Sequence, residues 1–176
     1  MNTPAPEFSR PVRADQIARH AQGVTITADA HEREALAKRF NLLSLSRLEA
    51  DYALSENDSG IEARGRVRAE LAQPCVATGV AVPETIDTEF LLRFVAERGD
   101  EGDDEELEID SEDCDVIGFD GQTIDMGEAV AETMALAMTP YPRSADAASY
   151  LREAGVLSEE QASPFAVLQS LKDKKS

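Results

Sequence analysis

The residues best suited to chemistry in this chain are charged, and many of them lie in one acidic tract. Between Glu97 and Asp115 there are twelve carboxylates and a single cation, Arg98, so the tract carries −11 of the chain's net charge of −18. Burying so many like charges would be very costly, which predicts a solvated loop. The loop is either a solubilising surface without a partner or a mimic of nucleic acid that binds a basic protein. Its candidate partner-binding residues are Asp100, Glu101, Asp103, Asp104, Glu105 and Glu106.

A row of three arginines is the second candidate binding feature. Arg64, Arg66 and Arg68 belong to a segment of alternating hydrophobicity, so in a strand their side chains project from one face, about 7 Å apart. Guanidinium groups at that spacing could follow the phosphates of RNA. Glu62 and Glu70 flank the row, and the alternative is a solvated sheet face on which these carboxylates form ion pairs.

Metal-binding and catalytic patterns are incomplete. Cys75 begins half of a Cys-x-x-Cys zinc knuckle, but Thr78 occupies the second position. A zinc-protease helix beginning at His31 would need its second histidine where Ala35 stands. We therefore expect no metal, no cofactor and no enzymatic activity. The alternative is an enzyme with an unrecognised carboxylate site, whose candidate residues are Asp125, Glu128 and Glu132.

Composition limits the class of partner and the compartment. A pI near 4.4 argues against general attachment to DNA, RNA or anionic membranes, because phosphate binding needs a surplus of Lys and Arg. The chain has no stretch of eighteen apolar residues, and its first thirteen residues include three prolines without a hydrophobic centre. This pattern argues against a membrane span and a secretory signal. We expect a cytoplasmic protein with free thiols that binds neither membrane nor DNA.

The elements that must position these residues include several strands. Residues 47–55 and 61–73 both alternate in hydrophobicity, and the turn sequence Asn57-Asp58-Ser59-Gly60 joins them, which predicts a β-hairpin. Residues 85–95 alternate in the same way. Residues 23–27 are rich in β-branched side chains, which favours another strand.

Two capping patterns predict helices. Asp29 with Glu32, and Asp125 with Glu128, have the spacing of a capping box, in which side chain and backbone pair reciprocally. An apolar stripe follows each pattern at helical spacing. The helical wheel places Leu136 on the apolar face of the second helix.

Together these elements predict an α+β fold. We expect a twisted, mainly antiparallel sheet of about five or six strands, open or barrel-like, packed by one or two helices. Residues 1–142 form the core domain with its acidic loop at 97–115, and residues 143–176 form a C-terminal tail with short helices. An apolar cluster near the end of the tail predicts that it docks onto the body or onto a partner.

The order of short motifs along the chain is distinctive. The motif positions are Gln73, Cys75, Asp125, Glu132, Pro164 and Phe165. In this order, with the long alternating strand before them and the acidic insertion between, they resemble the YceD family of large ribosomal RNA subunit accumulation proteins. The likeness covers most of the chain, from the first helix to the C-terminus. Many relatives have a cysteine where Thr78 stands, so any metal role in those relatives does not carry over.

The resemblance implies a small non-enzymatic protein needed for accumulation or processing of large-subunit (23S) ribosomal RNA. The family gives no catalytic residues to transfer. A protein of net charge −18 has two routes to such a role: local RNA contact through the arginine row, or an acidic tract that holds a basic ribosomal protein until delivery. We favour the second slightly, because it uses the strongest feature of the chain. The expected partner is a ribosomal protein or a large-subunit rRNA precursor.

Overall fold

Strands and short helices alternate along the part of the chain that the structure describes. The computed structural model describes residues 6–97 and 115–156. Its strands are β1 (Pro11–Arg13), β2 (Val24–Thr27), β3 (Ser44–Asn57), β4 (Gly60–Pro74), β5 (Ala81–Ala96), β6 (Asp115–Phe119) and β7 (Thr123–Asp125). Its helices are α1 (Ala30–Arg39), α2 (Met126–Ala137) and α3 (Ala147–Glu153), with a 3₁₀ helix at Ala14–His20.

Five of these strands form one mixed sheet in the order β2-β3-β4-β5-β6. The β2–β3 and β3–β4 pairs are antiparallel, whereas β6 lies parallel to β5. β1 and β7 form a separate antiparallel pair. The predicted α+β fold and strand number are confirmed, and within residues 6–97 and 115–156 the sheet stays open rather than closing into a barrel.

The hairpin of β3 and β4 forms where the turn sequence predicts it. Asn57 pairs with Gly60 at its tip, and the Asn57 side chain accepts a hydrogen bond from the Ser59 N–H at 2.9 Å. Gly60 has a φ of +127°, and a Cβ added there would lie 2.3 Å from the carbonyl oxygen of Phe94. Only glycine fits both the backbone conformation and the close approach of β5.

Alternation along the hairpin gives the sheet one apolar face. Leu48, Ala50, Tyr52 and Leu54 of β3 are all at most 3 % exposed. They belong to a single hydrophobic cluster to which the helices contribute Leu36, Met126, Val130 and Met134. Burying each large aliphatic side chain contributes about 1.5–3 kcal/mol, so this face supplies much of the driving force for folding.

Both principal helices begin at the predicted aspartates, but only α1 has a complete capping box. Asp29 accepts a hydrogen bond from the Glu32 N–H at 2.9 Å, and the Glu32 carboxylate accepts one from the Asp29 N–H at 2.8 Å. At α2 the Asp125 side chain caps the helix, whereas the Glu128 carboxylate turns to Arg39. The predicted cap at Asp125 is therefore confirmed, but the reciprocal bond from Glu128 is wrong, because a guanidinium is a stronger partner for a carboxylate than a backbone N–H.

The apolar face of α2 is narrower than the helical wheel indicates. Met126, Val130 and Met134 recur every four residues and are fully buried. Leu136 lies two residues beyond Met134, about 200° further around the helix, and is 80 % exposed. Its predicted place on the buried face is therefore wrong.

The described residues divide into two compact units. One contains those within Met1–Gln73 and Pro83–Pro140, and the other contains those within Pro74–Val82 and Tyr141–Ser176, including α3. Among the helices of the described segments, none has the length and apolar character needed to span a membrane.

Candidate partner-binding surfaces

The arginine row lies along β4, on the face opposite the buried side chains. The Arg64 side chain is 74 % exposed, and its ion pair within the described residues is with Glu62, at 3.3 Å. The Arg66 and Arg68 side chains are 44 % and 33 % exposed. Exposure therefore falls along the row, and Arg64 is the member most open to a partner.

Carboxylates on neighbouring strands bind the two more covered arginines. Arg66 pairs with Asp87 of β5, and Arg68 pairs with Asp51 of β3 at 2.6 Å. The hydrogen bond with Asp87 raises the pKa of Arg66 and lowers the pKa of Asp87. The pKa of Asp51 is lowered first by a hydrogen bond from Thr25 and then by Arg68. An RNA phosphate would have to compete with these bound carboxylates for both guanidinium groups.

Within the described residues, the ion pairs on the outward face of the sheet have a small negative balance. Its four cations are Arg47, Arg64, Arg66 and Arg68. Its six paired carboxylates are Glu49, Asp51, Glu62, Glu70, Asp87 and Glu89. Four positive and six negative charges sum to −2. Exposed ion pairs contribute only about 0–1 kcal/mol each, so their main effect here is to reduce free positive charge.

The motif residue Gln73 ties the end of β4 to residues beyond α2. Its side-chain amide donates to the Glu84 carboxylate at 2.8 Å and to the Thr139 carbonyl at 3.0 Å. The other carboxylate oxygen of Glu84 accepts from the Thr139 N–H at 2.9 Å and from its hydroxyl at 2.8 Å. These contacts give Gln73 a part in positioning the fold.

The thiol of the motif residue Cys75 is buried, and the hydroxyl groups of Thr78 and Ser144 lie next to it. Its side chain is 3 % exposed, and its Sγ accepts hydrogen bonds from the Ser144 N–H and hydroxyl at 3.3 and 3.4 Å. The Ser144 and Thr78 hydroxyl oxygens lie 3.3 Å apart. Hydrogen bonds from Ser144 and then from Thr78 lower the pKa of the Cys75 thiol to about 6.

The described surroundings of Cys75 do not supply a zinc site. Zinc needs about four nitrogen, sulfur or carboxylate ligands, whereas hydroxyl groups occupy the Thr78 and Ser144 positions. Elsewhere in residues 6–97 and 115–156, no cluster of three or more histidine, cysteine or acidic side chains is arranged to hold a metal ion.

Cys75 should make stability depend on pH. Its folded pKa of about 6 lies below the value of about 8.5 for an unfolded thiol, so the thiolate favours the folded state. This contribution is present above the unfolded pKa and is lost as the pH falls towards 6. The test compares two proteins that both carry Cys114→Ser, one with Cys75 and one with Cys75→Ser. We expect the difference between their urea midpoints to rise between about pH 6 and 8.5 and then level off. A midpoint difference that does not change with pH would contradict the assignment.

The carboxylate of Asp125 is occupied by four hydrogen-bond donors. Oδ1 accepts from the backbone N–H groups of Arg10, Gly127 and Glu128 at 2.7, 3.0 and 3.2 Å. Oδ2 accepts from the Ser9 hydroxyl at 2.5 Å. This saturation assigns Asp125 a structural role, joining the N-terminal segment to the start of α2.

Sequence patterns gave no indication of a charged cluster around Arg39. This residue bridges Glu128 of α2 at 2.6 Å and Glu7 at 3.0 Å, and these partners, Glu128 foremost, raise the pKa of Arg39. The available signal was the position of Arg39 in the last turn of α1, where cations favour the helix dipole. That signal does not identify partners so distant in sequence.

Glu132, two turns along α2 from Asp125, differs from the other candidate carboxylates. Its side chain is exposed, and it forms no hydrogen bond or ion pair with any residue in the described ranges. The remaining candidates lie outside those ranges, and their assigned roles stay predictions. They are Asp100, Glu101, Asp103, Asp104, Glu105, Glu106, Pro164 and Phe165.

The chain is similar to a known protein family. A family model described as large ribosomal RNA subunit accumulation protein YceD matches residues 63–172, well over half of the chain. The matched region runs from within β4 past α3. No curated protein and no solved structure matches the chain.

Proposed function

Because the chain belongs to the YceD family, described as large ribosomal RNA subunit accumulation proteins, we propose that it is a non-enzymatic ribosome-biogenesis factor. In this proposal it supports accumulation or processing of 23S rRNA in the cytoplasm by holding a basic ribosomal protein. The observation that carries the proposal is the acidic tract, with −11 of the net charge of −18. Opposite charges would speed the encounter with such a partner, and added salt would weaken it.

The ion pairs of the sheet favour protein holding over extended RNA contact. Two of the three row arginines already bind carboxylates on adjacent strands, and the paired groups of this face sum to −2. A surface that binds RNA phosphates needs a surplus of positive charge. Local RNA contact through Arg64 is the second candidate, because its side chain is 74 % exposed.

The contacts of the α2 carboxylates support a non-enzymatic role. Both oxygens of Asp125 bind donors within the fold, and Glu128 is paired with Arg39. A general acid or base must be free to exchange a proton with substrate. Of these three candidates, Glu132 alone has no hydrogen bond or ion pair within the described residues.

The experiment is an affinity purification from cells at low and high salt. One variant replaces the tract residues Asp100, Glu101, Asp103, Asp104, Glu105 and Glu106 with Asn or Gln. A matched control neutralises six exposed carboxylates elsewhere: Asp15, Glu34, Glu56, Asp58, Asp146 and Glu153. Both variants change the net charge by the same amount, so the comparison separates the position of the charge from its quantity.

We expect the tract variant to recover at least about tenfold less ribosomal protein than the wild type or the matched control. Recovery by the wild type should also fall as salt rises. The variant with Arg64, Arg66 and Arg68 all changed to Ala should recover ribosomal protein normally. Loss of rRNA in that variant, with the tract variant unaffected, would favour direct RNA contact instead.

A further inference from the structure

A groove beside β6 lies at the edge of the sheet's apolar face, where Ile117 and Phe119 are partly exposed. It lies between β6 and α2, encloses about 280 Å³, and has an apolar floor that includes Phe94, Ile117, Phe119 and Ala129. This volume lies near the lower limit of the roughly 300–1,000 Å³ of typical small-molecule sites. The groove has room for one or two apolar side chains of a partner.

The rim of the groove is anionic. Its lining residues include Asp120, Asp125, Glu128 and Glu132, and none of the described residues that line it is basic. The Asp120 carboxylate accepts hydrogen bonds from the Gln122 and Thr123 N–H groups, which lower its pKa and keep it charged. An apolar floor inside a ring of carboxylates complements a segment with an apolar side chain between cations.

The four rim carboxylates are not equally available to a partner. Asp120 and Asp125 bind backbone N–H groups, and Glu128 binds Arg39. Glu132 is exposed, with no partner among the described residues. It is therefore the rim group that a cation could pair with without breaking an existing contact.

The groove also lies beside one end of the acidic tract. Asp115 is both the last tract residue and the first residue of β6, and Ile117 of the groove floor follows two residues later. A bound cationic segment that extended past the groove along β6 would meet the Asp115 carboxylate, about 7 Å from Ile117 along the strand.

We propose that the groove between β6 and α2 binds a Lys- or Arg-rich protein segment through one apolar anchor side chain, with Glu132 pairing a flanking cation. The proposal rests on the protein-holding function and specifies the chemistry of the partner. It requires the partner segment to carry an apolar side chain, which attraction between charges alone does not require. The partner is then distinguished from other polycations, because those lack a suitably placed anchor.

The test uses two fluorescent probes, a short oligolysine peptide with one central leucine and the same peptide with a central serine. Binding to the full chain is measured by fluorescence polarisation. We expect the leucine peptide to bind about tenfold more tightly, because burying a leucine side chain favours binding by an amount that corresponds to at least that factor. Equal affinity for the two peptides would overturn the proposal.

The contribution of the rim is tested by Glu132→Lys, with Glu132→Gln as a milder variant. Glu34→Lys is the matched control, because Glu34 lies on α1 with a 68 % exposed side chain and is absent from the groove lining. We expect Glu132→Lys to weaken leucine-peptide binding about tenfold and Glu34→Lys to change it less than twofold. Unchanged affinity in Glu132→Lys would overturn the assignment of the groove.

Other occupants would give different results. Direct binding of a fluorescent single-stranded oligouridine to the full chain in the absence of peptide, strengthened by Glu132→Lys, would identify a nucleic-acid site and overturn the proposal. Tighter peptide binding in Phe165→Ser would identify the chain's own C-terminal segment as the occupant and would also overturn it. If the tract variant loses ribosomal protein in cells while Glu132→Lys retains it, the groove assignment fails and the proposed function stands. If the leucine peptide binds more tightly than the serine peptide but no ribosomal protein is recovered from cells, the proposed function fails and the groove assignment stands.

Discussion

Replacing Gly127 with alanine is expected to destabilise the protein by about 2 kcal/mol or more, although alanine is intrinsically the better helix residue. A Cβ at this buried position of α2 would lie 2.2 Å from the Phe8 carbonyl oxygen and 2.9 Å from the backbone nitrogen of Arg10. Both contacts are with backbone, which cannot move aside like a flexible side chain. The N-terminal segment or the first turn of α2 must therefore shift, which weakens the hydrogen bonds to Asp125.

Urea unfolding followed by far-UV circular dichroism measures this effect, and Gly23→Ala is the matched control. Gly23 has a φ of +97° with no atom within 4 Å of an added Cβ, so alanine there costs backbone strain alone. We expect a loss of about 1 kcal/mol in that variant. A stabilising effect of Gly127→Ala would mean that the N-terminal segment does not cross α2 as described.

Asp125→Ala should destabilise the protein by about 2–4 kcal/mol. Loss of the N-cap contributes about 1 kcal/mol, and the unpaired Arg10 N–H and Ser9 hydroxyl contribute the remainder, because part-buried donors lose their acceptor. The same unfolding measurement applies. Asp29→Ala is the control, since the Asp29 side chain caps α1 without crossing to another segment.

Coupling between the two positions provides an independent check. Asp125 and Gly127 contact the same N-terminal segment, so the double variant should lose less stability than the sum of the single losses. We expect Asp29→Ala alone to cost about 1 kcal/mol. Additive losses at Asp125 and Gly127, or an Asp125 variant no worse than Asp29→Ala, would contradict the shared role.

Much of the fold could be predicted from local pattern. The β3–β4 hairpin follows from the alternation of apolar and polar residues and from the turn ending at Gly60. Helices α1 and α2 both begin at predicted caps. The β1–β7 pair could not be predicted, because each strand has only three residues and their partners are more than a hundred positions apart. The parallel placement of β6 likewise depends on a long-range pairing that alternation does not encode.

The candidate sites divide in a similar way. The arginine row is visible in the sequence because its spacing is local, and Glu62 was correctly placed beside it. Asp51 and Asp87 bind Arg68 and Arg66 across strands, and their register follows only from the assembled sheet. The groove was missed for the same reason, since its floor combines β5, β6 and α2.

The parallel pairing of β5 and β6 has a kinetic consequence. Leu92 pairs with Asp115 and Ala96 pairs with Phe119, so the two strand ends that flank residues 97–114 are four register positions apart, about 13 Å along the sheet. Under the proposed function, carboxylates covalently joined to the chain at these two points would act on a cationic segment in the groove at a high effective concentration. Such a segment would be recaptured more often after it dissociates, which lengthens residence time without any additional contact.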